Sequence, residues 1–335
     1  CLTGTIEYFK KDSKDLLFDV SQPASVGVTS IIQNIGKVTN SGVEIELDYN
    51  AFKNKDWSVS VGANATFVKN KIKNLPATMK ENGYISGSKK WLEGKSIYEF
   101  WLRQWHGVDP QTGDGLYVAD VSKYNQGNIG TGDGNITQSQ FDEYKKTVVT
   151  IDGKELTNSY TYAKYDFSGS SIPDVFGGFN VRVSYKNFDL AAVFSYQLGG
   201  QVLDTNYATM MSMTEFGYAQ SPDLLKAWKQ AGDITEVPRI DNSAAHTTNI
   251  GQSYSTRWLT SSDYLNLRSV TIGYQFPKAW LSKVMLKSAR LNLTAENLFM
   301  LKARQGLNPM ANYSGVTYNE YMPSRNITLG LNVSF

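Results

Sequence analysis

The chain has 335 residues, 41% hydrophobic and 13% aromatic, with a formal charge of +2. So many apolar side chains exclude a disordered chain, and no run of roughly 18 consecutive apolar residues is present, which excludes a membrane-spanning helix. Near-neutral charge gives no reason to expect a nucleic-acid partner, one Cys excludes a disulfide scaffold, and two His (His106 and His246) leave little for His-based catalysis.

From Cys1 onward the pattern is β-like, with apolar and polar residues alternating at period two. A first strand is expected at 2–10. Residues 43–51 set Val43, Ile45, Leu47 and Tyr49 against Glu44, Glu46, Asp48 and Asn50. Residues 57–67 set Trp57, Val59, Val61, Ala63, Ala65 and Phe67 against Ser58, Ser60, Gly62, Asn64 and Thr66. Less regular strands are expected at 97–106 and around 115–118. Clean alternation returns at 177–185, with Arg182 on the polar face, and at 188–198, with Asp189 there. Ser221-Pro222-Asp223 reads as a helix start that runs to Gly232. A further strand is expected at 264–276 and a short amphipathic turn at Pro277–Leu286. Residues 289–297 place Arg290 and Glu296 on the polar side, and a last alternating strand ends at Phe335.

Several of these strands run about nine to eleven residues, the length a tilted strand needs to cross a bilayer and longer than most strands of soluble sheets. Connections alternate between tight (Phe52–Asp56, Lys186-Asn187) and long (11–39, 69–95, 119–175, 199–262 and 298–325). Long structureless loops are uncommon in compact soluble domains, whereas short turns at one end and long loops at the other are the habit of outer-membrane barrels. About ten antiparallel crossings give a consistent up-and-down parity. That parity puts Tyr49, Trp57, Tyr185, Phe188, Phe276 and Phe335 at one end and on the apolar face, as expected of an aromatic membrane girdle. The fold class is therefore an all-β transmembrane antiparallel barrel with long extracellular loops. Its lumen-facing residues are expected to include Glu44, Glu46, Asp48, Asn64, Arg182, Asp189, Arg290 and Glu296.

Catalytic signatures are weak. No HExxH, GxSxG or P-loop spacing occurs, so the chain reads as a non-enzyme. Asp133-Gly134-Asn135-Ile136-Thr137 resembles the middle of a calcium loop, but Ile129 and Gln140 fill the first and twelfth ligand positions. Calcium near Asp133 is the only metal the sequence suggests. Trp91, Tyr207, Trp228 and Trp258 fall in the long loops. They could stack on sugars or pack on peptide side chains at a ligand or lid contact, or could tie the loops together.

Several segments carry a family resemblance: Asn34-Ile-Gly36 with Asn40-Ser-Gly-Val-Glu-Ile-Glu46, Asp109-Pro-Gln-Thr-Gly113, Gly177-Gly-Phe-Asn180, Ser262-Asp-Tyr-Leu-Asn-Leu-Arg268, Gly273-Tyr-Gln-Phe-Pro277, Glu296-Asn-Leu-Phe299, Gly306-Leu-Asn-Pro309 and the strand ending in Phe335. In this order they resemble the SusC/RagA-type TonB-dependent transporters of the Bacteroidetes outer membrane, over essentially the whole chain. The resemblance implies that residues 1–335 are the C-terminal portion of a larger barrel of about 22 strands, with plug and TonB box outside this segment. It also implies active import of glycans or oligopeptides, a SusD-like surface lipoprotein as lid, energy from TonB–ExbB–ExbD, and a dimer of transporter–lipoprotein pairs. Phe335 would then complete the signal read during barrel assembly. A surface or secreted β-rich glycan-binding or adhesion module is the main alternative, with a surface glycoside hydrolase and a small porin behind it.

Overall fold

The structure, a computed structural model, describes residues 1–335 apart from 22–29, 214–216, 218, 242, 244, 245, 247, 248, 252, 253, 283, 284 and 319. Its frame is one antiparallel eight-stranded sheet in which every strand pairs with its sequence neighbours in the sheet. The strands are β1 (Leu2–Ser21), β2 (Ser30–Lys53), β3 (Trp57–Asn74), β4 (Val175–Tyr185), β5 (Phe188–Leu198), β6 (Tyr264–Gln275), β7 (Ser288–Lys302) and β8 (Asn326–Ser334). Among the described residues the sheet does not close, and β1 and β8 are its edges.

Short turns join β2 to β3 and β4 to β5 at one end. The Asn54 side chain accepts from the Asp56 and Trp57 amides (2.9 and 2.7 Å), which reverses the chain in three residues. Lys186 turns at φ +49° and donates its amide to the Asp56 carbonyl at 2.7 Å, stitching the two turns together. At the other end the long connections fold into small sheets of their own.

Two expectations fail here. Residues 11–39 are not mainly loop: β1 and β2 continue as a hairpin through Leu16↔Gly36 to Ser21↔Ser30. The run Lys10-Lys-Asp-Ser-Lys-Asp15 carries no alternation, yet backbone pairing continues past it, because this upper hairpin is covered only in part, where Val38 and Leu16 pack with Ile72 and Leu75. There it is held by polar cross-strand contacts, Thr39 Oγ1 to Asp12 (2.7 Å) and Lys37 to Asp12 (3.4 Å).

Residues 97–106 and 115–118 do not cross with the frame either, so it has eight strands where about ten were expected. Glu99–Arg103 pairs with Tyr165–Ser170 and meets Lys89–Trp91, while Trp105–Val108 pairs with Gly115–Val118. Phe100, Leu102, Leu116 and Tyr117 are buried to 2% exposure or less, inside protein rather than on an outward face. Removing two crossings leaves the parity intact.

The same long connection contains helix α1 (Gln138–Thr147), which no expected element covers. Thr137 and Gln140 form a reciprocal cap: Thr137 Oγ1 accepts the Gln140 amide (3.2 Å), and Gln140 Oε1 accepts the Thr137 amide (2.8 Å). The helix buries Phe141 and Tyr144 against Tyr124 and Tyr162. The expected helix from Ser221 shrinks to a single 3-10 segment, Pro222–Lys226, because the backbone at Ala227 is already extended. In the expected 277–286 turn only Lys278–Leu281 is helical, and residues 283 and 284 lie outside the described set.

Candidate functional site

Directly paired residues in an antiparallel sheet share a face, so the register decides which side chains lie together. Glu46 pairs with Asn64, Glu44 with Thr66, and Asp48 with Gly62. Arg182 pairs with Ser60, Asp189 with Gly273, Arg290 with Gln275, and Glu296 with Ser269. Followed strand to strand, all eight residues expected to face the lumen occupy one face. Val43, Ile45, Leu47, Val61, Ala63, Phe179, Leu190, Ile272, Leu293, Leu329 and Leu331 occupy the other. On that second face Leu329 is 70% exposed and Leu331 61%, a continuous apolar surface that water would not tolerate.

Glycines shape the polar wall. A Cβ on Gly273 would stand 2.4 Å from Arg290 Nη2 and 2.5 Å from Asp189 Oδ1. Its absence lets Asp189 and Arg290 meet across β6 in an ion pair of 2.7 Å. Gly62 is roofed in the same way by Asp48 and Asn180, and Gly330 by Asn292. The long polar side chains therefore lie along the wall. Glu7, which the alternation in 2–10 would have revealed, lies directly opposite Glu44 and extends an acidic stretch that includes Glu46 and Asp48.

Two of the resemblance-bearing segments meet at an irregularity. Between Leu267 and Ser269 the register slips against both neighbours, and Asn297 takes a left-handed backbone, φ +51°. A polar cavity of about 460 Å³ opens there, lined by Ser195, Tyr264, Asn266, Arg268, Glu296 and Asn297, with Met310 and Pro323 from the following loop. Simple alternation could not assign Arg268, because the bulge breaks the period.

At the six-aromatic end, Trp57 and Tyr185 pack at 4.3 Å between ring centroids. Phe188 meets Tyr274 at 4.5 Å, and Tyr274 meets Phe276 at 5.2 Å. Tyr274 belongs to this band and was not anticipated. Tyr49, Trp57, Tyr185, Phe188 and Phe335 are all exposed.

Above the opposite end the three long connections pack into one cap around Phe100, Leu102, Leu203, Met211, Val237, Trp258 and Val316. Trp258, expected either at a ligand or lid contact or as a tie between loops, is 3% exposed and packs in this core as a tie. With Trp105 it sandwiches the Arg257 guanidinium (4.3 and 4.7 Å to the rings), whose burial pulls its pKa down to about 10. Trp91 is half-buried and donates its indole N–H to the Ile97 carbonyl. Tyr207 donates to Asp223 at 2.8 Å and carries the Arg304 guanidinium on its ring at 3.5 Å. Trp228 donates to the Pro110 carbonyl at 2.9 Å and lines a cleft of about 980 Å³ with Pro222, Leu225, Arg239 and Asp241. Trp228 is thereby set in a cleft large enough for a ligand.

Buried charge ties the cap together. Asp204, 4% exposed, accepts from the Tyr207 amide (3.0 Å) and Thr317 Oγ1 (3.2 Å), and pairs with Arg304. Lys89 donates to the Tyr98 carbonyl at 2.9 Å and lies over the Phe100 ring at 3.1 Å, where burial pushes its pKa down to about 7. The buried His246 ring packs beside this network, its Nε2 2.8 Å from the Arg239 carbonyl, and Asp114 pairs with Arg239. Asp133 sits in an exposed turn, and among the described residues no group of three or more His, Cys, Asp or Glu is placed to hold a metal.

Comparison with known proteins agrees with this geometry. The family description "TonB dependent receptor-like, beta-barrel" fits residues 2–135. TonB-dependent receptor P3 of Formosa agariphila is 27% identical over 99% of this chain and 32% of its own length. TonB-dependent receptor SusC of Bacteroides thetaiotaomicron is 24% identical over 100% of this chain and 30% of its own length. A solved structure of the RagAB peptide importer in its closed-closed state superposes with a TM-score of 0.76 at 25% identity, covering 100% of this chain and 33% of that one. The chain thus spans about a third of the length of the relatives it matches. The likeness to SusC/RagA-type TonB-dependent transporters is borne out, and the eight-stranded sheet, unclosed among the described residues, has the fold of a TonB-dependent receptor β-barrel.

Proposed function

We propose that this chain supplies one wall and much of the extracellular cap of an outer-membrane importer for large nutrients, glycans or oligopeptides. The observation that carries the reading is the two-faced sheet, apolar and exposed on one side, polar and glycine-smoothed on the other, with short turns at one end and a built cap at the other. In a bilayer the backbone bonds must close within a barrel, so the apolar face meets lipid and the polar face lines the route of a hydrophilic cargo. The chemistry is transport rather than catalysis. Import would be driven by TonB–ExbB–ExbD acting on segments outside these 335 residues. A SusD-like lipoprotein would close over the cap, and two such pairs would associate. The peptide importer among the relatives keeps oligopeptides in the cargo class beside glycans.

The test uses cells that carry the full-length protein. Uptake of labelled oligosaccharide and oligopeptide pools should fall to background when either the gene or energy coupling is removed. Uptake that survives loss of energy coupling would leave a passive pore, and a protein that stays monodisperse without detergent would leave the surface-module alternative.

A further inference from the structure

The bulge at Leu267–Ser269 sets a cation in the polar cavity beside it. Ser195 pairs with Asn266, and Ser269 with Glu296, on the same face as the Asp189–Arg290 ion pair. The inserted residue, Arg268, reaches that side as well and lines the cavity of about 460 Å³. Arg290, Arg239 and Arg304 each meet a carboxylate. Arg268 is exposed, and among the described residues its guanidinium makes neither an ion pair nor a hydrogen bond. The surroundings are fixed. Asn266, 2% exposed, donates to Asn297 Oδ1 at 3.5 Å. Asn297 donates to the Ser324 carbonyl at 3.1 Å, and Asn326 donates to Glu296 Oε2 at 3.3 Å. These bonds hold the end of the β7–β8 connection against the wall. Asn308 donates to the Tyr321 carbonyl at 3.0 Å and so joins the two limbs that bring Met310 and Pro323 to the cavity.

The chemistry of the lining selects the ligand. A guanidinium presents its N–H donors in a planar fork that fits a carboxylate through two parallel bonds. Glu296 Oε1, without a hydrogen bond among the described residues, suits an ammonium. The Asn266 and Asn297 side chains carry the amide donors and acceptors that match peptide groups. Met310 and Pro323 add an apolar side, and the flexible thioether accepts side chains of different shape. A neutral sugar would leave the guanidinium unmatched. For stacking a pyranose, the described lining offers the Tyr264 ring and no indole.

We propose that the bulge forms a peptide-terminus subsite in the transport wall. Arg268 takes the α-carboxylate of an oligopeptide, the two asparagines take its last peptide groups, and Glu296 attracts an ammonium. The inference rests on the importer reading above and narrows its cargo to peptides. Its test is calorimetric titration of the full-length protein in mild detergent with trialanine, its C-terminal amide and trigalacturonate. Wild type should bind trialanine about tenfold or more tightly than the amide, the worth of a charge-assisted hydrogen bond. Arg268→Gln should weaken trialanine by the same factor and bind acid and amide alike. Lys145→Gln, on the exposed side of α1, should keep the wild-type preference. Equal binding of acid and amide by wild type, a preference that survives in Arg268→Gln or is lost in Lys145→Gln, or no binding of trialanine overturns the subsite. Trigalacturonate binding that needs Arg268, without trialanine binding, overturns the peptide assignment in favour of a uronate. Uptake in energised cells is measured alongside. If it stays energy-dependent, those results remove the subsite alone, whereas energy-independent uptake removes the importer reading itself.

Discussion

Replacing Asp204 with Ala should unlatch the cap without touching the barrel wall. The Asp204 carboxylate joins two connections: its own, between β5 and β6, and the one between β7 and β8, through Arg304 and Thr317. Removing one partner of a buried ion pair costs about 3–5 kcal/mol. The Arg304 side chain is 25% exposed, so water recovers part of its solvation and the lower end, about 3 kcal/mol, applies. Asp204 also caps the helix Thr205–Met210 through the Tyr207 amide, which adds about 1 kcal/mol. At tenfold per 1.4 kcal/mol, local opening should rise roughly 10²- to 10³-fold. Hydrogen exchange of the full-length protein should show this in peptides covering 203–211 and 304–317, with β2–β7 unchanged. Asp204→Ala combined with Arg304→Ala should cost less than the two singles added, because no charge is left stranded. Unchanged exchange at 304–317 in the single variant would refute the latch.

Lys89 gives the cap a pH dependence. Its ammonium is charged below about 7 in the folded protein, while an unfolded lysine stays charged to about 10.5. The folded state binds fewer protons between those values, so cap stability should rise with pH from about 7 upward. Lys89→Met should flatten that rise in melts compared at pH 6 and pH 9, and an unaltered slope would count against it. Gly113→Ala should destabilise the 109–114 turn by about 2 kcal/mol or more. Its φ is +74° and a Cβ would stand 2.4 Å from the Trp228 ring, so protease should cut there faster and the Trp228 environment should change. Thr137→Ala should weaken α1 by about 1 kcal/mol, read as faster proteolysis within 138–147.

Alternation revealed the wall wherever one face meets lipid and the other water. Glu44, Glu46 and Asp48 against Ile45, Leu47 and Tyr49 could hardly be read otherwise. It failed where the environment changes along a strand or is reversed. Beyond the regular part of the wall, β1 and β2 stay paired while only scattered residues such as Val38 and Leu16 are covered, and no stripe marks them. In Glu99–Arg103, Phe100 and Leu102 alternate as cleanly as a crossing strand but face the cap core. Period two reports that one face is apolar, not what covers it. Trp258 illustrates the same gap, since a loop tryptophan can bind a ligand or bury a guanidinium and the sequence is identical in either case. The Thr137–Gln140 cap is legible in the sequence, but Thr137 also closes the calcium-loop-like run from Asp133, and one short segment supports both patterns. Arg268 was hidden by a bulge that no local pattern announces.

The central claim is that β2 separates lipid from an aqueous interior, residue by residue. Single cysteines placed at positions 44 to 49 of the full-length protein, in a Cys1→Ser background and in intact outer membranes, test it directly with a membrane-impermeant maleimide. The account predicts fast labelling at 44, 46 and 48 and protection at 45, 47 and 49. Uniform labelling along the strand, or faster labelling of the odd positions, would contradict it.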